Sequence, residues 1–127
     1  MLQNEKLVAF VPVRDAGRAR VFYHDMLGLR QVSEDRFAVV FDVGGTHLRA
    51  TLVGEFQPQR FTVLGWEVPD AAAAARRLSA AGVRFERYPG MEQDELGLWS
   101  APGGARVAWF RDPDGNVLSI TQHPEAV

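Results

Sequence analysis

Cysteine is absent from the chain, which excludes disulfide bonds, thiolate nucleophiles and thiolate metal ligands. The sequence also lacks any apolar stretch approaching the roughly 20 residues of a membrane span, and its first residues lack the basic and apolar regions of a signal peptide. We therefore expect no membrane partner and a cytoplasmic location. Positive charge is not in excess either, because 14 basic residues are scattered among 16 acidic ones, which argues against a nucleic-acid partner.

What the chain does contain is an internal repeat. Residues 63–70 restate residues 8–15 at an offset of 55, counted from Asp15 to Asp70. In each copy an apolar strand ends at an Asp that can cap a helix, and the helix ends at a glycine, Gly28 or Gly82. With 127 residues, 46% of them hydrophobic, the chain can bury one compact core. We predict a single domain built from two similar modules.

The first module, about residues 5–55, has the pattern of a βαβββ unit. Apolar density predicts a strand over 7–13, and Pro12 places the end of this strand at a sheet edge or bulge because proline cannot donate a ladder hydrogen bond. Apolar residues at three- and four-residue spacing predict a helix over 16–27. The unit is completed by a turn at 33–35 and by a hairpin that joins strands 37–41 and 47–52 through Gly44-Gly45.

The second module, about residues 60–123, repeats this order. A strand over 61–68 leads to Asp70 and an alanine-rich helix through Ala80. The pattern then predicts a strand over 83–87, a long loop over 88–104 with one short strand at 98–100, and a final hairpin of strands 106–111 and 116–122. Long loops in compact domains often cover binding sites, so the loop over 88–104 is a candidate lid.

Two motifs resemble those of a known family. Residues 22–29, Phe-Tyr-His-Asp-Met-Leu-Gly-Leu, resemble its helix end, and residues 109–116, Trp-Phe-Arg-Asp-Pro-Asp-Gly-Asn, resemble its last hairpin. The family is the glyoxalase, bleomycin-resistance and extradiol-dioxygenase superfamily, also called vicinal oxygen chelate. The resemblance covers nearly the whole chain and implies an α+β fold, in which two βαβββ modules form a cup of curved mixed sheets with helices outside. It also implies a small-molecule site in the cup and a homodimer, with or without exchange of modules.

Enzymes of this superfamily usually hold one divalent metal ion with four side chains. The resemblance implies that the four equivalent positions in this chain are Val8, Arg49, Val63 and Ser119. Divalent ions need several oxygen or imidazole lone pairs at about 2.0 to 2.6 Å, and valine offers none. A fixed positive charge at Arg49 would repel the ion. The repulsion is roughly 4 kcal/mol for each pair of unit charges about 4 Å apart, at an effective dielectric constant of about 20. We therefore predict no metal and no other cofactor.

Strand alternation assigns residues to the cup. The predicted ligand cavity is formed by Val8, Phe10, Arg49, Val63, Gly65, Trp99, Ser119 and Thr121. His47 and Glu67 share this parity and are weak candidates for catalysis, with Arg49 anchoring a carboxylate or phosphate. The alternative for these polar residues is an ion pair between Arg49 and Glu67 beside an exposed His47. Gly65 could leave room for a ligand or mark a kink in the sheet.

Aromatic residues supply the other candidates. Trp99 lies in the long loop and is the best candidate for a ring over a ligand, although a dimer contact or a core position would also explain it. For Trp66 and Trp109 we predict core packing. Residues 93–95, Gln-Asp-Glu, could form a polar lid or a solvated triplet.

The predicted function is that of a metal-free member of the superfamily, which binds a small, partly apolar or aromatic molecule in the cup. We do not expect the metal-dependent glyoxalase or dioxygenase reaction, because the Lewis acid on which both depend would be missing. The alternative is an enzyme of lyase, isomerase or dioxygenase type, which would use His47, Glu67 and Arg49 or an atypical metal set that includes Glu55. A purely structural or regulatory dimer is the third possibility.

Overall fold

The structure, a computed structural model, describes residues 1–125. It contains two compact units, Met1–Gln57 and a second unit that begins at Pro58. Each unit has a four-stranded mixed sheet with helical structure against it, so the α+β class predicted from the sequence is confirmed. Within the described residues, every helix is too short or too polar to cross a membrane.

In the first unit, the chain order is strand, helix and three strands. Strand β1 is Val8–Val13, and helix α1, Ala16–Ala19, continues into a π-helical segment, Arg20–Met26. Strands β2, β3 and β4 are Arg30–Glu34, Ala38–Val43 and Thr46–Leu52. The spatial order is β1-β4-β3-β2, in which β1 runs parallel to β4 and the other pairs are antiparallel. Pro12 therefore lies on an edge strand, as its missing N–H requires.

The helical segment of this unit is less regular than the sequence predicts. The side chain of Asp15 caps the start by accepting a hydrogen bond from the Arg18 N–H at 2.8 Å. The Leu27 N–H then donates to the Phe22 carbonyl at 2.9 Å, five residues back, which is the π-helical spacing. The prediction of one α-helix over 16–27 is therefore wrong in kind, although the helix does end at Gly28 with a φ of 76°.

The core of the first unit lies between this helical segment and one face of the sheet. Tyr23 is fully buried, and its ring contacts that of Phe41 with a centroid separation of 5.7 Å. Leu48 and Ala50 of β4 are buried on the same side, as their alternation predicts. The predicted turn at 33–35 is partly wrong, because β2 continues through Glu34. The turn begins at Asp35, whose carboxylate accepts hydrogen bonds from the Phe37 and Ala38 N–H groups.

The second unit repeats the pattern with one irregular edge. Strand β5 is Thr62–Glu67 and helix α2 is Ala71–Ala80. Strands β6, β7 and β8 are Trp99–Ser100, Arg106–Arg111 and Val117–Gln122, in the spatial order β5-β8-β7-β6. The predicted strand over 83–87 is wrong: this segment makes a single bridge from Phe85 to Phe110. A regular strand is not needed there, because β6 already pairs with the other half of β7.

Helix α2 covers one face of the second sheet. The Asp70 side chain caps its start by accepting from the Ala73 N–H at 3.0 Å, and Ala71 and Ala75 are fully buried. Phe110 and Leu118 lie in the buried layer of the sheet. These apolar side chains lie on the face of the sheet against which α2 packs.

The final hairpin is held by its own side chains. Asp112 Oδ1 accepts hydrogen bonds from the Asp114 and Asn116 N–H groups at 2.9 and 3.0 Å, and Asn116 Nδ2 donates to Asp112 Oδ2 at 2.8 Å. Gly115 has a φ of 89°, which a side chain would disfavour. All three polar residues are buried, so the turn that the motif encodes acts as a rigid end for β7 and β8.

Candidate functional site

A cavity of about 850 Å³ lies in the second unit. Its wall is formed by the loop over 88–94 and by residues 98–100, which include β6. Pockets for small molecules typically measure about 300 to 1,000 Å³, so this space is adequate for one. Trp99, the residue that the sequence singles out as a ring over a ligand, lies in the wall beside Tyr88.

Three aromatic rings contact one another at this cavity, and two of them, Tyr88 and Trp99, belong to its wall. Trp109 lies between the other two: its ring centroid is 5.6 Å from that of Tyr88 and 6.1 Å from that of Trp99. The Tyr88 and Trp109 planes meet at 78°, an edge-to-face arrangement that stabilises both rings. We call Tyr88, Trp99 and Trp109 the aromatic cluster.

The position of Trp109 corrects a prediction. Trp109 comes directly before the buried Phe110 on β7, and successive side chains of a strand point to opposite faces. Trp109 therefore lies on the face opposite the buried layer, where its strand partner is Ser119. The indole Nε1–H donates to Thr62 Oγ1 at 3.1 Å, which holds the ring in place on that face. Trp66 does lie on the helix side, where it stacks on Phe110 with a centroid separation of 6.4 Å. The core prediction is therefore wrong for Trp109, because the sequence does not determine the register of the hairpin.

The wall of the cavity is fixed by Gln93. Its side-chain NH₂ donates to the carbonyls of Glu86 and Gly97 at 2.8 and 2.9 Å, and its side-chain oxygen accepts from the Tyr88 N–H at 2.8 Å. One amide therefore joins three points along the loop. For Gln93 the interpretation as part of a solvated triplet is wrong, because its amide is used within the loop, and the polar lid over 93–95 stays a prediction.

Asp94 fixes the same loop from the other side. Its Oδ1 accepts from the Leu96 and Leu98 N–H groups, each at 2.9 Å, and its Oδ2 is 3.2 Å from the Arg106 guanidinium. Arg87 also donates to carbonyls of the loop, among them that of Glu95 at 2.9 Å. Because these bonds hold the segment in one conformation, Trp99 is presented from a preorganised loop.

Burial and nearby charges act on the phenol of Tyr88 in the aromatic cluster. Burial raises the pKa of the Tyr88 phenol above its ordinary value of 10.0, the negative charge of Glu86 raises it further, and Arg111 opposes them. Glu86 and Arg111 form an ion pair at 2.7 Å beside the cluster. Tyr88 is therefore neutral at physiological pH and can donate a hydrogen bond to a ligand.

The space at Gly65 is used by the protein itself. A Cβ atom at this position would lie 2.8 Å from Ser119 Oγ and 3.4 Å from the Ser119 carbonyl oxygen. Gly65 and Ser119 are partners in neighbouring strands, and Ser119 is buried. The absence of a side chain therefore accommodates the Ser119 hydroxyl, which neither of the two interpretations made from the sequence included.

Four of the predicted site residues lie together on the first sheet. Val8 is the strand partner of His47, and Phe10 is the strand partner of Arg49. Val8 and Phe10 keep 41% and 62% of their surface exposed, on the face opposite the Tyr23 core. We call these four residues the open face of the first sheet.

The remaining predicted residues lie in the second unit. Gly65 pairs with Ser119, and Glu67 pairs with Thr121. Val63 stands at a β-bulge, between the register positions of Thr62 and Leu64. The predicted cup and the predicted ion pair between Arg49 and Glu67 both combine residues of the two units, and both stay predictions.

The positions at which a metal would be expected do not suit one. Val8 and Val63 present hydrocarbon, Arg49 presents a positive charge, and Ser119 presents a hydroxyl, which is a weak ligand. Within residues 1–125, no group of three or more His, Asp and Glu side chains is arranged to hold a metal ion. The alternative set of His47, Glu67 and Glu55 combines residues of the two units and stays a prediction.

The whole cavity wall lies within the loop over 88–104, which the sequence indicates as a candidate lid, but some of its side chains were missed. Tyr88 and Met91 belong to it and were not among the candidates, and Trp109 had been assigned to the core. The signal that could have found Tyr88 and Trp109 is the concentration of aromatic residues in and next to a loop rich in glycine and proline.

Together, these features define a protein of two strand-helix-strand units with an aromatic cavity in the second unit. Residues 7–120 match the family model of the Glyoxalase/Bleomycin resistance protein/Dioxygenase superfamily. The chain belongs to this superfamily, as the two sequence motifs indicate.

Solved structures of low sequence identity share the fold. A lactoylglutathione lyase from Agrobacterium tumefaciens has a TM-score of 0.73 at 19% identity, with 94% of this chain and 93% of that chain covered. A superfamily member from Sphaerobacter thermophilus has a TM-score of 0.72 at 23% identity, with 97% and 100% covered. One from Alicyclobacillus acidocaldarius has a TM-score of 0.71 at 19% identity, with 96% and 93% covered. A search of curated proteins by sequence finds no match to this chain.

Proposed function

We propose that this protein binds a small, partly apolar or aromatic molecule without a metal ion, and that the aromatic cluster forms the principal contact. The observation that carries the proposal is the preformed cavity of about 850 Å³ with Tyr88 and Trp99 in its wall. Trp109 contacts both of these rings. A ring that stacks on one of these side chains would bury apolar surface, worth about 25 cal/mol per Å².

The preorganised loop supports binding rather than a lid movement. Gln93 and Asp94 satisfy the polar groups of the loop before any ligand arrives. A ligand therefore need not order this segment, which lowers the entropic cost of binding. The phenol of Tyr88 supplies one hydrogen-bond donor for orientation.

The lack of suitable metal ligands favours binding over the metal-dependent chemistry of the superfamily. Hydrocarbon at Val8 and Val63 and a guanidinium at Arg49 cannot supply the lone pairs that a divalent ion needs. For an enzymatic role, His47 and Glu67 remain candidates from the sequence alone, and no contact between described residues favours that role over binding. The homodimer and the cytoplasmic location also stay predictions. Sedimentation equilibrium would test whether the protein is a dimer.

The three tryptophans allow a direct test with 2-naphthol as an aromatic probe. Each indole N–H gives its own NMR signal, which single Trp→Phe variants assign. On addition of 2-naphthol, we expect the signals of Trp99 and Trp109 to shift, while the signal of Trp66, on the helix side, stays in place. Calorimetry then gives the affinity of the native protein and of each variant.

The variants separate a binding role from a structural one. Trp99→Ala should weaken 2-naphthol binding at least about tenfold, because removal of a stacked ring costs about 1 to 3 kcal/mol. Trp66→Phe is the matched control and should bind as the native protein does. Equal shifts of all three indoles, or unchanged affinity in Trp99→Ala, would contradict the proposal.

A further inference from the structure

Arg49 is a half-buried arginine on an inner strand of the first sheet. It lies on β4, the strand between β1 and β3, where its strand neighbours are Phe10 and Val40. Within residues 1–125, its guanidinium takes part in no hydrogen bond or ion pair. Two other arginines are similarly half-buried, Arg20 and Arg106, and each of these is paired with a carboxylate.

The neighbouring acidic residues are already occupied. Asp35 is near enough for the positive charge of Arg49 to contribute to lowering its pKa, but its carboxylate accepts hydrogen bonds from the Phe37 and Ala38 N–H groups. Asp42 lies 3.4 Å from the Arg30 guanidinium. The five N–H donors of Arg49 therefore remain available to an external acceptor, for which a planar carboxylate is the geometric match.

The strand neighbours of Arg49 are apolar, and the exposed ones lie on the β1 side. Phe10 on β1 is 62% exposed and Val8 is 41% exposed, while Val40 on β3 is buried. Neighbouring strands are spaced by about 4.8 Å, so the Phe10 ring and the Arg49 guanidinium are within reach of one small molecule. Exposed apolar side chains around a cation suit an acid with an apolar body better than an inorganic anion.

We propose that the open face of the first sheet binds the carboxylate of a small apolar acid, with Arg49 as its anchor and Phe10 and Val8 as its apolar floor. One guanidinium balances one carboxylate. A phosphate dianion would have an unbalanced negative charge near Asp35 and Asp42. The residues of this site belong to the first unit, and those of the aromatic cavity belong to the second.

The test uses 3-phenylpropionate, its neutral analogue 3-phenylpropanamide and inorganic phosphate. We expect 3-phenylpropionate to bind with a Kd of about 1 mM, as is ordinary for so small a ligand, and to shift the NMR signals of Arg49 Nε–H and of the Phe10 amide. The neutral amide and phosphate should each bind at least about fivefold more weakly. Equal binding of either one would overturn the proposed ligand class.

Variants locate the site. Arg49→Gln should weaken 3-phenylpropionate binding about tenfold, and Arg49→Lys, which keeps the charge without the planar fork, should weaken it less. Arg36→Gln is the matched control, since Arg36 is an exposed arginine that also acts on Asp35, and its affinity should stay within about twofold. Phe10→Ala should weaken 3-phenylpropionate but not acetate.

The outcome also separates this site from the aromatic cavity. Trp99→Ala should leave 3-phenylpropionate binding unchanged. If Trp99→Ala abolishes this binding and Arg49→Gln does not, the ligand occupies the cavity of the second unit and the proposal for Arg49 is wrong. A circular-dichroism melt of each variant confirms that the fold is retained.

Discussion

Replacement of Gly65 by alanine tests what the bare backbone at this position is for. An added Cβ would stand 2.8 Å from Ser119 Oγ, about 0.6 Å inside the 3.4 Å at which ordinary contact begins. Ser119 is only 7% exposed and lies on β8, between β5 and β7, so its hydroxyl has little free space into which to rotate. The substitution therefore forces either this rotation or a shift of the two strands.

The expected cost follows from this geometry. Forcing an extra methyl group into a packed position typically costs about 1 to 3 kcal/mol. We expect the lower half of this range, about 1 to 2 kcal/mol, because the obstructing atom belongs to a side chain that can turn. For a protein of this size, about 1 kcal/mol lowers the Tm by roughly 4 °C, so Gly65→Ala should melt about 4 to 8 °C below the native protein.

A double-mutant cycle identifies the obstructing atom. In the background of Ser119→Ala, the oxygen that meets the new Cβ is gone, so Gly65→Ala should cost about 1 kcal/mol less than it does alone. Urea denaturation followed by circular dichroism measures the four free energies of unfolding. Gly103→Ala is the control, because a Cβ at Gly103 would meet no atom within 4 Å, and its effect should stay within about 0.5 kcal/mol.

Two results would refute the reasoning. If Gly65→Ala unfolds like the native protein, the close approach to Ser119 does not constrain this position. If the double variant is as unstable as the sum of the single ones, the hydroxyl is not the obstacle. A variant of native stability that has lost ligand binding would instead support the interpretation that Gly65 makes room for a ligand.

Further predictions concern pH and the buried turn. The pKa of Tyr88 is raised by burial, so its contribution to the free energy of unfolding is present below pH 10.0 and is lost as the pH rises through the pKa of the folded state. In a titration followed by phenolate absorbance, a Tyr88→Phe variant should lack the ionisation step of Tyr88 at high pH. An unchanged titration would contradict this assignment. The pKa of Asp35 is lowered below 3.8, chiefly by hydrogen bonds from Phe37 and Ala38, so stability is lost as the pH falls through the folded value. Asp35→Asn should show a weaker acid dependence in urea melts, and an identical dependence would refute this assignment. Asp112→Ala should lower the free energy of unfolding by about 2 to 4 kcal/mol, because it leaves buried N–H donors without acceptors. Asp25→Ala, a change at an exposed position, is the control. A loss below about 1 kcal/mol in Asp112→Ala would show that the turn is held by other contacts.

Local patterns in the sequence predicted most of the framework. Asp15 and Asp70 cap helices where the repeat indicates, since a carboxylate that precedes a helix can accept from its first N–H groups. The Gly44-Gly45 hairpin forms as expected, with a positive φ at both residues. Where the local signal is weak, the prediction failed: the segment over 83–87 has apolar residues but only one strand bridge.

The sequence by itself determined the paired βαβββ order, the superfamily and the replacement of expected metal ligands by Val8, Arg49 and Val63, because side-chain chemistry and spacing are visible without coordinates. The tertiary structure alone decided which face receives Trp109, that Gln93 fixes the cavity wall, and that the Ser119 hydroxyl fills the space at Gly65. Each of these depends on strand register and on contacts between distant residues. A shift of one position in register turns every side chain of a strand to the other face, and no local pattern determines it.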